Sequence, residues 1–261
     1  MGMVKLNYSR KELVSILHNF GEEHQLNIQF AAVIGSKGVQ LDMGDSDYDV
    51  GVVVDKLQKD IIWCKEYRTS IDICLLEYGA IEKARACLPK LEFPSVVHRD
   101  NVQFDYKSTE YQQNEEIATF LIPMICSNEI LVDNTIVKSQ VRSIDVIDYF
   151  YTRAYGNLIN NLRNDRVMAR KYLMTVYGIL QIDSVLRWNK VQKGFYTVLE
   201  SANGIEAYRV KIQNLLEANK RCGKKAFVDR NEMLNEFISM KLLDQKQKIT
   251  EFEKDIIIHC D

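Results

Sequence analysis

The segment 30–55 constrains the fold more than any other part of the chain; it contains FAAVIGSKGVQLDMGDSDYDVGVVVD. It begins with a short apolar run that ends at Gly35, as a buried strand does before a turn. It closes with a valine-rich run that directly follows two aspartates, Asp47 and Asp49. The pattern predicts a strand, a Gly-Ser turn, a polar loop with a D-x-D pair, and a second strand.

The D-x-D pair predicts a cation site. On a strand, residues two positions apart point to one face, so Asp47 and Asp49 would project side by side. Tyr48 and the alternating valines Val50, Val52 and Val54 would share the opposite face, toward the core. Two parallel carboxylates repel each other in a low dielectric unless a cation lies between them. Mg²⁺ is the expected cation, with Mn²⁺ as an alternative, since Mg²⁺ takes carboxylate oxygens together with substrate phosphates.

A third carboxylate follows in the segment 70–75, where Ile71 and Ile73 alternate with Asp72. If that strand lies beside the strand that carries Asp49, Asp72 joins the acidic pair. Three carboxylates on neighbouring strands are able to hold two metal ions in the geometry that supports in-line displacement at phosphorus.

The Gly-Ser turn supplies candidate phosphate-binding groups. Gly35 lets the backbone approach a phosphate closely because it has no Cβ atom. Backbone N–H groups and the Ser36 hydroxyl can then hold a triphosphate. Lys37 follows directly, and we group it with Gly35 and Ser36 as a predicted nucleotide-binding residue.

These motifs resemble a known superfamily. G-S, then D-x-D, then a later strand Asp is similar to the DNA polymerase beta-like nucleotidyltransferases. The segments 147–158 (IDYFYTRAYGNL) and 169–180 (ARKYLMTVYGIL) resemble the helical region of predicted nucleotidyltransferases associated with RNA repair operons. The segment 81–143 is poorly covered. One departure is that the family commonly has G-S-R-x-x-G, whereas this chain has Lys37 and Gly38 after G-S.

The resemblance implies an activity and roles for residues. Asp47, Asp49 and Asp72 would be catalytic and bind metal, and an NMP would pass from an NTP to a hydroxyl with release of pyrophosphate. An RNA end is one candidate acceptor. Arg170 and Lys171, in the helical match, would bind the γ-phosphate or the acceptor backbone. We predict that Arg170 shares one helical face with Arg163 and Arg166; the competing interpretation is a solvated face.

The periodicity predicts an α+β fold, with a small mixed β-sheet nucleotidyltransferase core and an all-helical second domain. Ser9-Arg10-Lys11-Glu12 fits a capping box that opens a helix, with Gly21 as its expected end. From Ile144 on, helical spacing dominates, so the predicted domains are 1–140 and 141–261. Other predicted elements are a strand at Ile61–Lys65, an edge strand at Val102–Tyr106, and helices at Glu77–Leu88, Glu115–Cys126, Ile144–Leu162, Val167–Trp188, Phe195–Leu199, Ile205–Asn219 and Arg230–His259.

Charge, cysteine content and hydropathy limit the possible partners and the cellular compartment. The net charge of −2 gives no global field for nucleic acid, so any polynucleotide contact must come from local patches. The six cysteines are scattered without zinc spacing, which favours a reducing compartment. We find no signal peptide and no apolar stretch long enough to span a membrane, so we expect a cytoplasmic protein without a membrane partner.

Several alternatives stay open. The acidic segment could be a surface turn without a role; an EF-hand loop is disfavoured because Val50 and Lys56 stand where that loop needs Gly and Glu. The protein could bind nucleotide at a degenerate, regulatory site, or could modify a protein or a small molecule instead of RNA. The nucleotide, the acceptor, the oligomeric state and the pathway are not determined by the sequence.

Overall fold

The computed structural model describes residues 7–42, 44, 46–57, 61–68, 70–81, 120–252 and 256–260. The predicted strand at Val102–Tyr106 lies outside the described residues. Of the predicted helix at Glu77–Leu88, residues 77–81 are described: Glu77 ends a strand, and 78–81 are helical. Of the predicted helix at Glu115–Cys126, residues 120–126 are described: 120–125 are helical, and Cys126 lies in a turn.

The described elements alternate between strands and helices in the first half and are mostly helical in the second. The helices described over their whole length are α1 (Arg10–His24), α2 (Gly35–Gly38), α3 (Thr135–Lys138), α4 (Ser143–Asn160), α5 (Ala169–Trp188), α6 (Phe195–Ser201), α7 (Arg209–Cys222) and α8 (Glu232–Thr250). The strands are β1 (Ile28–Ile34), β2 (Tyr48–Val54), β3 (Ile61–Arg68), β4 (Ile71–Glu77), β5 (Ile130–Val132), β6 (Arg166–Met168) and β7 (Phe227–Asp229). Short 3₁₀ turns, Glu206–Tyr208 and Gly223–Lys225, flank α7.

The main sheet has five strands in the order β3-β4-β2-β1-β5. β2 and β4 are parallel, whereas β1 is antiparallel to β2 and β5, and β3 is antiparallel to β4. The predicted mixed sheet is therefore confirmed. β5 was not predicted, because three residues are too few to show an alternating pattern.

The two faces of the sheet bury different partners. Tyr48, Val50, Val52 and Val54 form one cluster with the apolar side of α1, which confirms the predicted core-facing side of β2. On the opposite face, residues of β1, β2 and β4 join a larger cluster that continues through the helical half. Examples are Phe30, Val53 and Leu76 from the strands, and Phe150, Tyr177 and Leu216 from α4, α5 and α7. The predicted boundary at residue 140 stays a prediction, and residues from both sides of it share this core.

The ends of several elements differ from the prediction. α1 does not stop at Gly21 but continues to His24, where Gln25 adopts a left-handed conformation with φ of 53°. Arg163, Arg166 and Arg170 do not share one helical face, because Arg166 lies in β6 and Arg170 lies in α5. The ribbon of β6 and β7 was missed, since each strand has only three residues. No helix within the described ranges is long and apolar enough to cross a membrane.

The capping box of α1 is formed as predicted. The Ser9 N–H donates to Glu12 Oε2 at 2.6 Å, and the Glu12 N–H donates to Ser9 Oγ at 3.3 Å. These bonds satisfy backbone N–H groups that a helix start leaves without intrahelical partners.

We expect Ser9→Ala to lower the free energy of unfolding by about 1 kcal/mol, because it removes the cap. Ser15→Ala is the matched control: Ser15 is exposed inside α1, and alanine is the better helix former there. Urea unfolding of both variants should give changes of opposite sign. Equal effects would show that the cap contributes nothing.

Candidate active site

Asp49 and Asp72 lie side by side on neighbouring strands. In the parallel pair of β2 and β4, Asp49 is the register partner of Asp72. Register partners point to the same face of a sheet, and adjacent strands are about 5 Å apart. Both residues are half-buried. The predicted adjacency of the two strands is confirmed, and it places both carboxylates at the start of β2 and β4.

Asp47 is placed differently from the prediction. β2 begins at Tyr48, so Asp47 lies just before the strand, and it is exposed. Strand geometry therefore does not fix Asp47 beside Asp49. Its position two residues before Asp49, and next to the first residue of β2, still keeps it at the same end of the sheet.

The Gly-Ser segment, which turns the chain from β1 into the start of α2, packs against Asp49. Ile34, the last residue of β1, is the register partner of Asp49, and Gly35 follows with φ of +68°. A Cβ atom at Gly35 would lie 2.9 Å from Oδ2 of Asp49, closer than such atoms approach. Glycine is favoured at position 35 for two reasons: it adopts the positive φ angle readily, and it leaves space for the Asp49 carboxylate.

Ser36 connects the turn to the loop that carries the acids. Its hydroxyl donates a hydrogen bond to Ser46 Oγ at 3.1 Å. Ser46 is buried, with 8% of its surface exposed. The two parts of the motif predicted from sequence, the Gly-Ser turn and the D-x-D loop, are therefore in direct contact.

Lys37 has a local partner that the sequence analysis missed. Its ammonium group donates to Asp42 Oδ2 at 2.8 Å and lies 4.3 Å from the centre of the Tyr48 ring. Asp42 also accepts hydrogen bonds from the N–H groups of Gly44 and Ser46. Burial alone would raise the pKa of Asp42, but the hydrogen bonds from Lys37, Ser46 and Gly44 lower that pKa to about 2. An aspartate followed by Gly and Ser is typical of side-chain-stabilised turns, and this signal was available in the sequence.

The helical half holds the residues that follow the turn. The N–H of Phe195, at the start of α6, donates to the carbonyl of Val39 at 2.9 Å. The side-chain amide of Asn219, in α7, donates to the carbonyl of Leu41 at 3.0 Å. Both contacts join residues that are far apart in sequence, so no local pattern predicts them.

Arg170 and Lys171 lie in the first turn of α5, and both are half-buried. The backbone carbonyl of Lys171 accepts a hydrogen bond from Thr175 Oγ1 at 2.7 Å. This contact is part of the helix itself. The predicted role of the two side chains in phosphate binding therefore stays a prediction.

The donor set suits a hard cation that phosphates would help to hold. Among the described residues, no group of three or more His, Cys, Asp and Glu side chains has a metal-ligating arrangement. Asp49 and Asp72 provide carboxylate oxygens from adjacent strands. Mg²⁺ is commonly bound by one or two carboxylates together with waters and substrate phosphates, so these two residues fit that ion.

Comparison with known proteins shows only weak similarity to solved structures. No protein-family model matches the chain, and no curated protein matches it. Among solved structures, the chain is similar to a nucleotidyltransferase-like protein from Exiguobacterium sibiricum 255-15, with 6% sequence identity and a TM-score of 0.29. The match covers 92% of this chain and 75% of that chain. At this identity and TM-score the similarity does not establish a family.

We expect Gly35→Ala to destabilise the protein and to displace the Asp49 carboxylate. Gly44→Ala is the matched control, because Gly44 also has a positive φ, of +82°, but a Cβ atom there would meet nothing within 4 Å. The left-handed conformation alone should cost about 1–2 kcal/mol in each variant. Chemical unfolding should show a larger loss for Gly35→Ala. Equal losses would mean that the contact with Asp49 is unimportant.

The low pKa of Asp42 predicts an acid-dependent contribution to stability. Its pKa of about 2 in the folded protein is below the ordinary value of 3.8, so the unfolded chain binds the proton more readily. The contribution should be complete above about pH 5 and should disappear as the pH falls toward about 2.

The stability difference between the wild type and Asp42→Asn should therefore shrink as the pH falls, when it is measured by urea unfolding. Asp244→Asn is the control, since Asp244 forms an exposed ion pair with Lys248 that contributes little. A difference for Asp42→Asn that does not change with pH would contradict this account.

Proposed function

We propose that this protein is a Mg²⁺-dependent nucleotidyltransferase, which moves an NMP from an NTP to a hydroxyl acceptor. The observation that carries the proposal is the register of Asp49 with Asp72, beside a Gly-Ser turn that contacts Asp49. Two neighbouring acids next to a partly exposed Gly-Ser turn suit a metal-bound triphosphate better than they suit an apolar ligand. The sequence resemblance to DNA polymerase beta-like nucleotidyltransferases supports the same activity.

Each residue of the site has a proposed role. Gly35 and Ser36 hold the β- and γ-phosphates through the backbone and the Ser36 hydroxyl. Asp47, Asp49 and Asp72 would hold Mg²⁺, which supplies charge neutralisation at the phosphates when bound. Asp72 also accepts the proton of the acceptor hydroxyl.

The reaction is a displacement at the α-phosphorus. The acceptor oxygen forms a new bond to the α-phosphorus, and the bond from that phosphorus to the bridging oxygen of the β-phosphate breaks. Pyrophosphate leaves, and the acceptor proton passes to Asp72. The rate gain comes from positioning and charge stabilisation, because the protein forms no covalent bond to the nucleotide.

Positive side chains would complete the phosphate site. Arg170 and Lys171 are proposed to bind phosphate oxygens, as a guanidinium group can do through two parallel hydrogen bonds. Lys37 is proposed to help at the turn, where its ammonium group is held by Asp42 at 2.8 Å. A phosphate there would share this cation with Asp42.

A second candidate function is nucleotide binding without transfer. It is favoured by the position of Asp47, which lies before β2 and is exposed, so that strand register holds Asp49 and Asp72 together but not Asp47. In that case the chain would sense a nucleotide or regulate a partner. Magnesium-dependent binding of an NTP without release of pyrophosphate would distinguish this function from catalysis.

We expect Asp49→Asn and Asp72→Asn each to lower NMP transfer at least about 10²-fold, because each removes a carboxylate that holds metal or accepts the proton. The measurement is transfer from an α-labelled NTP in the presence of Mg²⁺. Asp55→Asn is the control: Asp55 follows the other end of β2, is exposed, and accepts a hydrogen bond from Asn27 at 2.6 Å. Transfer by either site variant at the wild-type rate would refute the assignment.

The acceptor can be identified in the same assay. Each α-labelled NTP is incubated with the wild-type protein and with total cellular RNA or total cellular protein. Label in RNA that is lost on treatment with ribonuclease would assign an RNA acceptor, and label in the protein fraction would assign a protein acceptor. The Asp72→Asn variant provides the background for both.

A further inference from the structure

We propose that Asn219 in α7 is a positioning residue for the nucleotide-binding turn. Its side-chain amide would hold the turn at Gly35-Ser36 in its binding conformation by fixing the residues that follow the turn. The inference rests on the proposed function, since that function gives the turn its role. Asn219 belongs to the helical half and lies far in sequence from the turn.

The Asn219 side chain is buried, and only its amide nitrogen forms a hydrogen bond among the described residues. The residue has 0% of its surface exposed, and Nδ2 donates to the carbonyl of Leu41 at 3.0 Å. Oδ1 is buried without a hydrogen-bond partner among the described residues. A buried amide with an unsatisfied oxygen is costly. The hydrogen bond to Leu41 is therefore the favourable polar contact that offsets this cost.

Leu41 is tied directly to the turn. Its N–H donates to the carbonyl of Ser36 at 2.8 Å. The next residue, Asp42, binds the ammonium group of Lys37 and the N–H of Ser46. The hydroxyl of Ser36 in turn donates to Ser46. A displacement of Leu41 would thus reach Ser36 by two short chains of hydrogen bonds.

A second contact from the helical half acts on the same residues. The N–H of Phe195 donates to the carbonyl of Val39 at 2.9 Å, and Gly194 packs directly against the side chain of Gln40. Residues 39–41 are therefore held from α6 and from α7 together. Loss of the Asn219 contact would release one of these two attachments and leave the other in place.

Asn235 in α8 allows a purely structural role to be separated from positioning. Like Asn219, it is a buried asparagine in the helical half, with Nδ2 donating to a carbonyl, that of Leu162, at 2.9 Å. Its Oδ1 is also buried without a hydrogen-bond partner among the described residues. It does not contact the residues 39–42 through this amide. The same substitution at both positions removes a buried amide that donates to a backbone carbonyl, although Asn235 also hydrogen-bonds the side chain of Tyr172. Only the Asn219 amide is bonded to the residues that follow the turn.

The experiment compares Asn219→Ala with Asn235→Ala by amide hydrogen exchange and by kinetics. In Asn219→Ala, exchange of the segment 39–46 should become faster, and the KM for the nucleotide should rise about three- to tenfold with little change in kcat, because the binding conformation is less populated. In Asn235→Ala, exchange of that segment and the KM should match the wild type. If either alanine variant does not fold, Asn219→Ser and Asn235→Ser replace the pair.

The possible results separate this inference from the proposed function. Wild-type exchange of 39–46 in the Asn219 variant, or an equal increase in both variants, would overturn the positioning role. A wild-type protein that transfers no NMP would overturn the proposed function instead, while the exchange data would still decide whether Asn219 anchors the turn. Faster exchange only in the Asn219 variant, together with a higher KM, supports the positioning role.

Discussion

The parallel pairing of β2 with β4 is the interaction on which the candidate site depends. Parallel strands cannot be joined by a tight hairpin, so the chain must leave the sheet position next to β2 and return to it. Here it forms the edge strand β3 first and then inserts β4 between β3 and β2. This path, and not proximity in sequence, places Asp72 beside Asp49. Two carboxylates in register repel each other, so positive charge near Asp49 and Asp72 stabilises this arrangement.

The parts of the fold that the sequence predicts are the strands and helices long enough to show a periodic spacing of apolar residues. The side chains of β2 and β4 alternate between the two faces of the sheet with a period of two, so the core-facing side of Tyr48 and Val50 and the opposite placement of Asp72 followed from the pattern alone. β5, β6 and β7 have three residues each and show no period. The end of α1 was misplaced because Gly21 packs inside the helix, whereas Gln25 takes the left-handed position where glycine is the usual residue.

Within the candidate site, the adjacency of Asp49 and Asp72 was predictable, whereas the contacts of the neighbouring residues were not. The adjacency of Asp49 and Asp72 followed from two strands and one assumption about their order. The environment of Lys37 did not, because a lysine after a Gly-Ser turn suggests phosphate binding when its neighbours are unknown. In the structure Asp42 already holds that ammonium group, and the cation lies over the Tyr48 ring. Lys37 thus stabilises the loop before any ligand arrives, and a phosphate would add to an existing charge network.

The helical half is part of the site as well as a neighbour of the sheet. Its apolar side chains share one core with β1, β2 and β4, and its polar groups reach the carbonyls of Val39 and Leu41. A Gly-Ser motif allows the chain to turn but does not determine the shape of the turn, since glycine permits many backbone conformations. The shape depends on the surrounding contacts: Asp49 packs against Gly35, and α6 and α7 hold residues 39–41, which follow the turn. Under the proposed function the short motif marks the phosphate site, and the contacts of Phe195 and Asn219 hold the residues that follow it.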